Sequence, residues 1–199
     1  MDSPEPNICP DNLLTQAVEI AGADDERGVA NLDQLLESYG EDGRLHFLRG
    51  SILAGMQRYD EALPAMRRAV QAAPGFAVAR FQLGLLELSS GLPEEADATL
   101  QPLDLLPPDH PLRIFGAGLR NLIRDNLSEA VRLLREGIAL NTENPAMNND
   151  MRLLAEQTQF KIDQGGDSPP PAAAGEEEDE PTSLAHLALQ QFAAKPTRH

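Results

Sequence analysis

The sequence repeats itself with a period of 34 residues. Four residue types recur at this step in one register: glycine, alanine, phenylalanine and proline. They are Gly50, Gly84, Gly118, Ala62, Ala96, Ala130, Phe47, Phe81, Phe115, Pro74 and Pro108. A period of this length indicates an array of similar supersecondary units rather than a globular enzyme domain.

Each 34-residue unit contains two stretches with helical patterning. The repeats run over residues 43–76, 77–110 and 111–144, which we call repeats 1 to 3. The predicted helices are Leu45 to Met56, Asp60 to Ala73, Ala77 to Ser90, a helix from Pro93, Leu112 to Arg124, and a helix capped by Ser128 that runs to Leu140. Pro102 falls inside the second helix of repeat 2 and is expected to kink or break it.

This pattern resembles the tetratricopeptide repeat. The family's small residues correspond to the recurring glycines and alanines, and its large apolar residue corresponds to Met66, Leu100 and Leu134. The sequence departs from the family at the usual large apolar fourth position, which is His46, Arg80 and Ile114, and at Thr142, where the closing proline is expected. The resemblance implies an all-α fold: a right-handed α-solenoid of stacked antiparallel helix pairs.

The flanking sequences predict further segments. Residues 1–8 are expected to be disordered, and residues 9–42 to form a degenerate repeat or an N-terminal helix pair (Asp11 to Ala21 and Asp25 to Tyr39). Residues 145–162 predict a capping helix that includes Met147, Met151, Leu154 and Ile162. Residues 163–181 are acidic and proline-rich and predict a linker. Residues 182–196 predict a short amphipathic helix that ends before Pro196.

Charge and composition limit the classes of partner. The net charge is −16, and it divides into −10 over residues 1–42, zero over residues 43–142 and −6 over residues 143–199. This balance argues against nucleic acid and anionic membranes as partners. The first ten residues lack the pattern of a secretory signal, and no run of 18 apolar residues is present, so we expect a cytoplasmic protein.

Catalytic and cofactor motifs were sought and not found in the sequence. Gly116-Ala117-Gly118 lies within a predicted helix and does not follow a strand, so it does not predict a phosphate loop. The four histidines lack metal-ligand spacing, and Cys9 is the only cysteine. We therefore expect no enzyme activity, no metal and no cofactor.

In the resembled family, the first helix of each repeat lines a concave surface. The residues expected there form an apolar peptide-binding groove: Phe47, Ser51, Phe81, Leu85, Leu88, Phe115, Leu119 and Leu122. Packing of the phenylalanines between helices is the alternative interpretation. At the positions of the family's carboxylate clamp, none of the residues is basic: Phe47, Ser51, Gln82, Leu112 and Gly116.

The predicted function is a non-catalytic adaptor that holds a helical or extended peptide. The alternative is a small cytoplasmic chaperone resembling those that keep secreted translocator proteins soluble. The C-terminal helix has one apolar face, formed by Leu184, Leu187, Ala188 and Phe192. It either docks within the chain's own groove or recruits another protein. First-helix arginines were considered as acceptors for the acidic run Glu176 to Glu180: Arg44, Arg80, Arg113, Arg120 and Arg124.

Overall fold

The structure is a computed structural model that describes residues 7–164 of the 199-residue chain. The described residues form nine α-helices and one 3₁₀ helix. They are α1 (Asp11–Ala23), α2 (Asp25–Ser38), α3 (Gly43–Gly55), α4 (Tyr59–Ala72), α5 (Ala77–Ser89), α6 (Pro93–Leu100), the 3₁₀ helix (Gln101–Leu105), α7 (Pro111–Ile123), α8 (Leu127–Leu140) and α9 (Pro145–Asp163). The predicted all-α fold class is confirmed. Among these helices, none combines the length and apolarity that a bilayer crossing needs.

The described residues divide into two compact units. Residues 7–86 form the N-terminal unit and residues 87–164 form the C-terminal unit, with the boundary inside α5. In the N-terminal unit, buried leucines from α1, α2 and α3 form one core: Leu14, Leu32, Leu45, Leu48 and Leu53. Gly50 of α3 lies against Met66 of α4, where an added Cβ would come within 2.8 Å of the methionine Cγ. The recurring glycine therefore permits close approach of the two helices of repeat 1.

The turns between paired helices share one backbone feature. Gln57, Gly91 and Asp125 have positive φ angles of 60°, 74° and 58°. In the first turn, the Gln57 N–H donates to Ala54 O (3.0 Å) and the next N–H donates to Leu53 O (2.9 Å). The other two turns have the equivalent bonds, and this pair of bonds is the Schellman helix ending. The second helices consequently begin 34 residues apart, at residues 59, 93 and 127.

Pro102 breaks the second helix of repeat 2, as the sequence predicted. The α-helix ends at Leu100, and the chain continues as the 3₁₀ helix because proline lacks an N–H and its ring clashes with the preceding turn. Few residues remain before Leu106, whose backbone is extended and which precedes Pro107. Pro64 lies inside α4 without ending it, because residues 65–72 follow and are long enough to continue the helix.

The C-terminal unit is closed by α9, which packs against α8. Met147, Met151 and Ala155 of α9 are buried. The connection is fixed by asparagines: Asn141 Nδ2 donates to Asn148 Oδ1 (2.8 Å), and Asn148 Nδ2 donates to Asn141 O (2.8 Å). Asn141 thereby orients the start of the terminal helix without the proline that the family places at the end of a repeat.

The prediction that Ser128 caps α8 is wrong. The helix begins one residue earlier, at Leu127, and Asn126 precedes it without a side-chain cap bond. The Schellman ending of α7 sets this start, so the serine falls in the first helical turn. Most of the disordered segment predicted for residues 1–8, nearly all of the linker predicted for 163–181 and the amphipathic helix predicted for 182–196 lie outside the described residues.

Candidate functional site

The eight residues predicted to line an apolar groove differ in exposure. Five of them have at most 1% of their surface exposed: Phe47, Ser51, Phe81, Phe115 and Leu119. The other three are half-buried: Leu85, Leu88 and Leu122. The expected ladder of accessible phenylalanines is therefore wrong. A role for the first helices in peptide binding stays a prediction.

The phenylalanines are buried because neighbouring helices cover them. The Phe115 ring on α7 lies over Gly137 of α8, where an added Cβ would be 2.5 Å from two ring carbons. The rings of Phe47 and Phe76 are 4.8 Å apart between centroids and inclined at 60°. Such tilted aromatic contacts are favourable in protein cores. These side chains position helices and are not available to a ligand.

A buried polar pair lies among the predicted groove residues of the N-terminal unit. The Ser51 Oγ donates to Gln82 Oε1 at 3.2 Å, and both residues are buried. Within the described part of the chain, Gln82 Nε2 has no hydrogen-bond partner. A buried amide donor left unpaired costs about 1–3 kcal/mol. Gln82 also occupies a position of the family's clamp, but one neutral donor does not form a carboxylate clamp.

Leu122 borders an apolar depression in the C-terminal unit. This depression, which we call the Leu122 depression, has a volume of about 230 Å³. Its walls come from the end of α7, the α7–α8 turn, the start of α8 and the last three turns of α9. They are Leu122, Asp125, Leu127, Leu154, Gln157, Thr158 and Lys161. Leucines from three helices form the floor, because Thr158 turns its hydroxyl to Leu154 O (2.7 Å).

The rim of the Leu122 depression carries both signs of charge. Lys161 Nζ lies 3.7 Å from Asp125 Oδ1, and the side chains are 47% and 81% exposed. An exposed pair of this kind contributes about 0–1 kcal/mol, so an incoming charge competes with it easily. An adjoining polar hollow shares Asp125 and Leu127 and adds Asn121, Asn126, Ser128 and Glu129. We call this hollow the polar extension.

The sequence missed most of the Leu122 depression. Leu154 was assigned to the covered face of the capping helix, whereas it is half-buried and borders the depression. Leu127 and Lys161 carry no repeat signal, because the depression combines a turn, a helix start and a helix outside the three repeats. Only Leu122 connects the predicted groove with this site.

The first-helix arginines already have partners within the structure. Arg120 bonds Asp97 (3.0 Å) and Asp104 (2.6 Å), and Arg124 bonds Asp97 (2.9 Å). Arg80 and Arg113 donate to backbone carbonyls, and Arg44 binds Asp11 and Asp42. The acidic run considered as their ligand, Glu176 to Glu180, lies outside the described residues.

Two clusters of titratable groups have shifted pKa values. Burial favours the neutral acid at Asp42, but hydrogen bonds from Arg44 and from the Cys9 N–H outweigh it and hold the pKa of Asp42 below its ordinary value. Burial, with Asp42 nearby, raises the pKa of the Cys9 thiol. Burial also raises the pKa of Asp150 on α9 to about 6. The Asp42 cluster ties the N-terminal segment to the start of α3, which is a structural role.

Solved structures with a similar fold are tetratricopeptide proteins. MamA 41-end from Desulfovibrio magneticus RS-1 is 17% identical with a TM-score of 0.54, and the alignment covers 79% of this chain and 96% of that chain. YrrB, described as a TPR protein with an unusual peptide-binding site, is 21% identical with a TM-score of 0.54 and coverages of 73% and 76%. At these identities the similarity shows the fold alone.

Family models give the same result from the sequence. A model described as tetratricopeptide repeat matches residues 26–75, and a second with that description matches residues 53–114. Comparison with curated proteins gave no match. With the helix pairs, the 34-residue turns and the matched repeats, the chain belongs to the tetratricopeptide repeat family.

Proposed function

We propose that this protein is a non-catalytic adaptor that binds a helical or extended peptide, with one apolar side chain of the peptide inserted into the Leu122 depression. The tetratricopeptide repeat fold supports a role in protein–protein interaction. The observation that carries the finer proposal is that Leu122, a predicted groove residue, is half-buried beside Leu127 and Leu154 in an open apolar depression.

The size of the depression suits one large side chain. At about 30 Å³ per liquid water, a volume of 230 Å³ corresponds to roughly seven waters, which a leucine or phenylalanine side chain would displace. Burying such a side chain contributes about 1.5–3 kcal/mol. One anchor therefore gives modest affinity, and further contacts must supply the rest.

The polar extension favours a basic side chain next to the anchor. Asp125 is 81% exposed and borders both hollows. On a helical peptide, a lysine or arginine three or four residues from the apolar anchor lies on the same face and would reach it. The net charge of −16 also favours encounter with basic ligands.

Peptide binding tests this proposal. A displayed library of amphipathic peptides with leucine or phenylalanine anchors is selected on the protein, and the best binder is measured by fluorescence anisotropy. Leu154→Glu places a charge in the depression, and we expect the affinity to fall at least about tenfold, which corresponds to 1.4 kcal/mol. Leu153→Glu is the matched control, because Leu153 is the preceding residue, is 58% exposed and does not border the depression.

An absence of any selected peptide, or equal losses in both variants, would contradict the proposal. Replacement of Phe47, Phe81 and Phe115 by alanine is unsuitable as a binding test, because these rings are buried and their loss would destabilise the fold. Single variants Leu85→Glu and Leu88→Glu test the remaining predicted groove residues. No observation on the described residues favours the secretion-chaperone alternative.

A further inference from the structure

The chain leaves the described structure next to the Leu122 depression. α9 ends at Asp163, and Lys161 and Leu154 of the same helix both border the depression. At 1.5 Å per helical residue, they lie about 5 and 15 Å along the axis from Gln164. Whatever follows Gln164 therefore starts close to the site.

The sequence beyond this point contains a segment whose chemistry matches the depression. Residues 181–199 contain Lys195 and Arg198 and no acidic residue, so they carry +2, whereas residues 1–180 carry −18. Phe192 and Lys195 are three residues apart, which would place an apolar and a basic group on one helical face. This is the pairing of anchor and charge that the Leu122 depression and the polar extension favour.

We propose that residues 184–195 of the chain itself dock at this site, with Phe192 in the Leu122 depression and Lys195 against Asp125 in the polar extension. The inference rests on the proposed function, since it takes the depression to be a peptide-binding site. The segment is an internal ligand there, and an external partner must displace it.

The connecting sequence is long enough. Residues 165–183 number nineteen, and a flexible chain of this length spans about 22–26 Å on average. That span exceeds the 5–15 Å from Gln164 to the walls of the depression along α9. A tethered ligand of this kind has an effective concentration in the millimolar range, so even a weak contact is largely occupied.

Occupancy by the segment lowers the apparent affinity for a partner. If residues 184–195 fill the site about 80–90% of the time, Phe192→Asp should tighten binding of the selected external peptide about five- to tenfold. The acidic run Glu176 to Glu180 lies in the connecting sequence and is repelled by Asp125 and Glu129. This repulsion directs the connecting sequence away from the polar extension and leaves Lys195 to occupy it.

Photo-crosslinking of the full chain tests the proposal. A benzoylphenylalanine replaces Phe192, and mass spectrometry locates the residues to which it couples. We expect coupling within one chain to the walls of the depression, above all Leu122, Leu127 and Leu154. Leu154→Glu should lower the yield about tenfold, for the same 1.4 kcal/mol as above, and Leu153→Glu should leave it unchanged.

Lys195→Glu provides a second variant that leaves the described core untouched, and it should lower the yield about threefold. Coupling to residues away from the depression, or coupling only between chains in a mixture of isotopically light and heavy protein, would overturn the proposal. Its failure is distinguishable from failure of the proposed function: an external peptide that still binds at Leu154 leaves the function standing. Coupling at the depression without external binding leaves only the internal contact.

Discussion

Within the C-terminal unit, α7 is held differently by its two neighbours. Toward α8, an uninterrupted helix, the contact is apolar: Phe115 lies over Gly137, and Gly118 lies against Leu134. Toward α6 and the 3₁₀ helix, the sizes are reversed, and the large Leu103 lies against Gly116 of α7. The same position of the repeat, Leu103 in one second helix and Gly137 in the next, thus carries opposite sizes.

Charge accompanies the shorter neighbour. Arg120 of α7 bonds Asp97 on α6 and Asp104 on the 3₁₀ helix, and its side chain is 13% exposed. Burial opposes the charge, but the hydrogen bonds with the two carboxylates outweigh it and raise the pKa of Arg120 above its ordinary value. Arg132 on α8 instead pairs with Glu129 and Glu136 of its own helix. Where Pro102 cuts a helix short, ion pairs across elements add to the reduced packing.

The largest expected effect is on the α8 side. Phe115→Ala removes a buried ring and should reduce the free energy of unfolding by about 3–5 kcal/mol. Urea denaturation followed by circular dichroism measures it. A loss under about 1 kcal/mol would mean that the ring is not held between α7 and α8.

Leu103→Ala measures the apolar contact on the other side of α7. Leu103 is 2% exposed, so we expect a loss of about 2–4 kcal/mol by the same denaturation experiment. Leu105→Ala is the control from the same 3₁₀ helix, since Leu105 is 89% exposed and should tolerate the change. Equal effects of the two changes would show that the 3₁₀ helix does not pack as described.

Arg120→Met separates charge from packing, since methionine keeps an apolar stem. We expect a loss of about 1–2 kcal/mol, because two charge-assisted hydrogen bonds disappear from a largely buried site. The matched change Arg132→Met, on the exposed surface of α8, should alter thermal stability little. If both changes have the same effect, the ion pairs across elements are not what distinguishes the two sides.

The smallest effect concerns the turns that precede α6 and α8. Gly91 and Asp125 have the same positive φ, which a residue with a Cβ adopts at a cost. Gly91→Ala should therefore destabilise the protein by about 1 kcal/mol. Gln57→Gly, the reverse change at the matching turn, should stabilise it by a similar or smaller amount, read from the shift in denaturation midpoint. A stabilising Gly91→Ala would contradict the turn geometry.

The repeat architecture was predictable because it depends on spacing. Glycines such as Gly50 and Gly118 are required wherever two helices touch, so their 34-residue step revealed the helix pairs, and Pro102 marked the broken helix. The common turn geometry was hidden, since Gln57, Gly91 and Asp125 share a backbone conformation but no side-chain type.

The candidate site was less predictable. Periodicity shows which residues share a face of a helix, but it does not show whether a neighbouring helix covers that face. Phe115 was therefore taken as exposed, although Gly137, twenty-two residues later, provides the space that buries it. The Leu122 depression draws Leu127 and Leu154 from separate helices, and no local pattern links them.

Leucine-methyl NMR tests the central claim, that the Leu122 depression is where a peptide binds. The selected peptide is titrated into the full chain carrying labelled leucine methyl groups. The account predicts that the largest shift changes occur at Leu122, Leu127 and Leu154, with little change at the exposed Leu140 and Leu153. Largest changes at Leu140 and Leu153, or at Leu85 with none at Leu122, would contradict it.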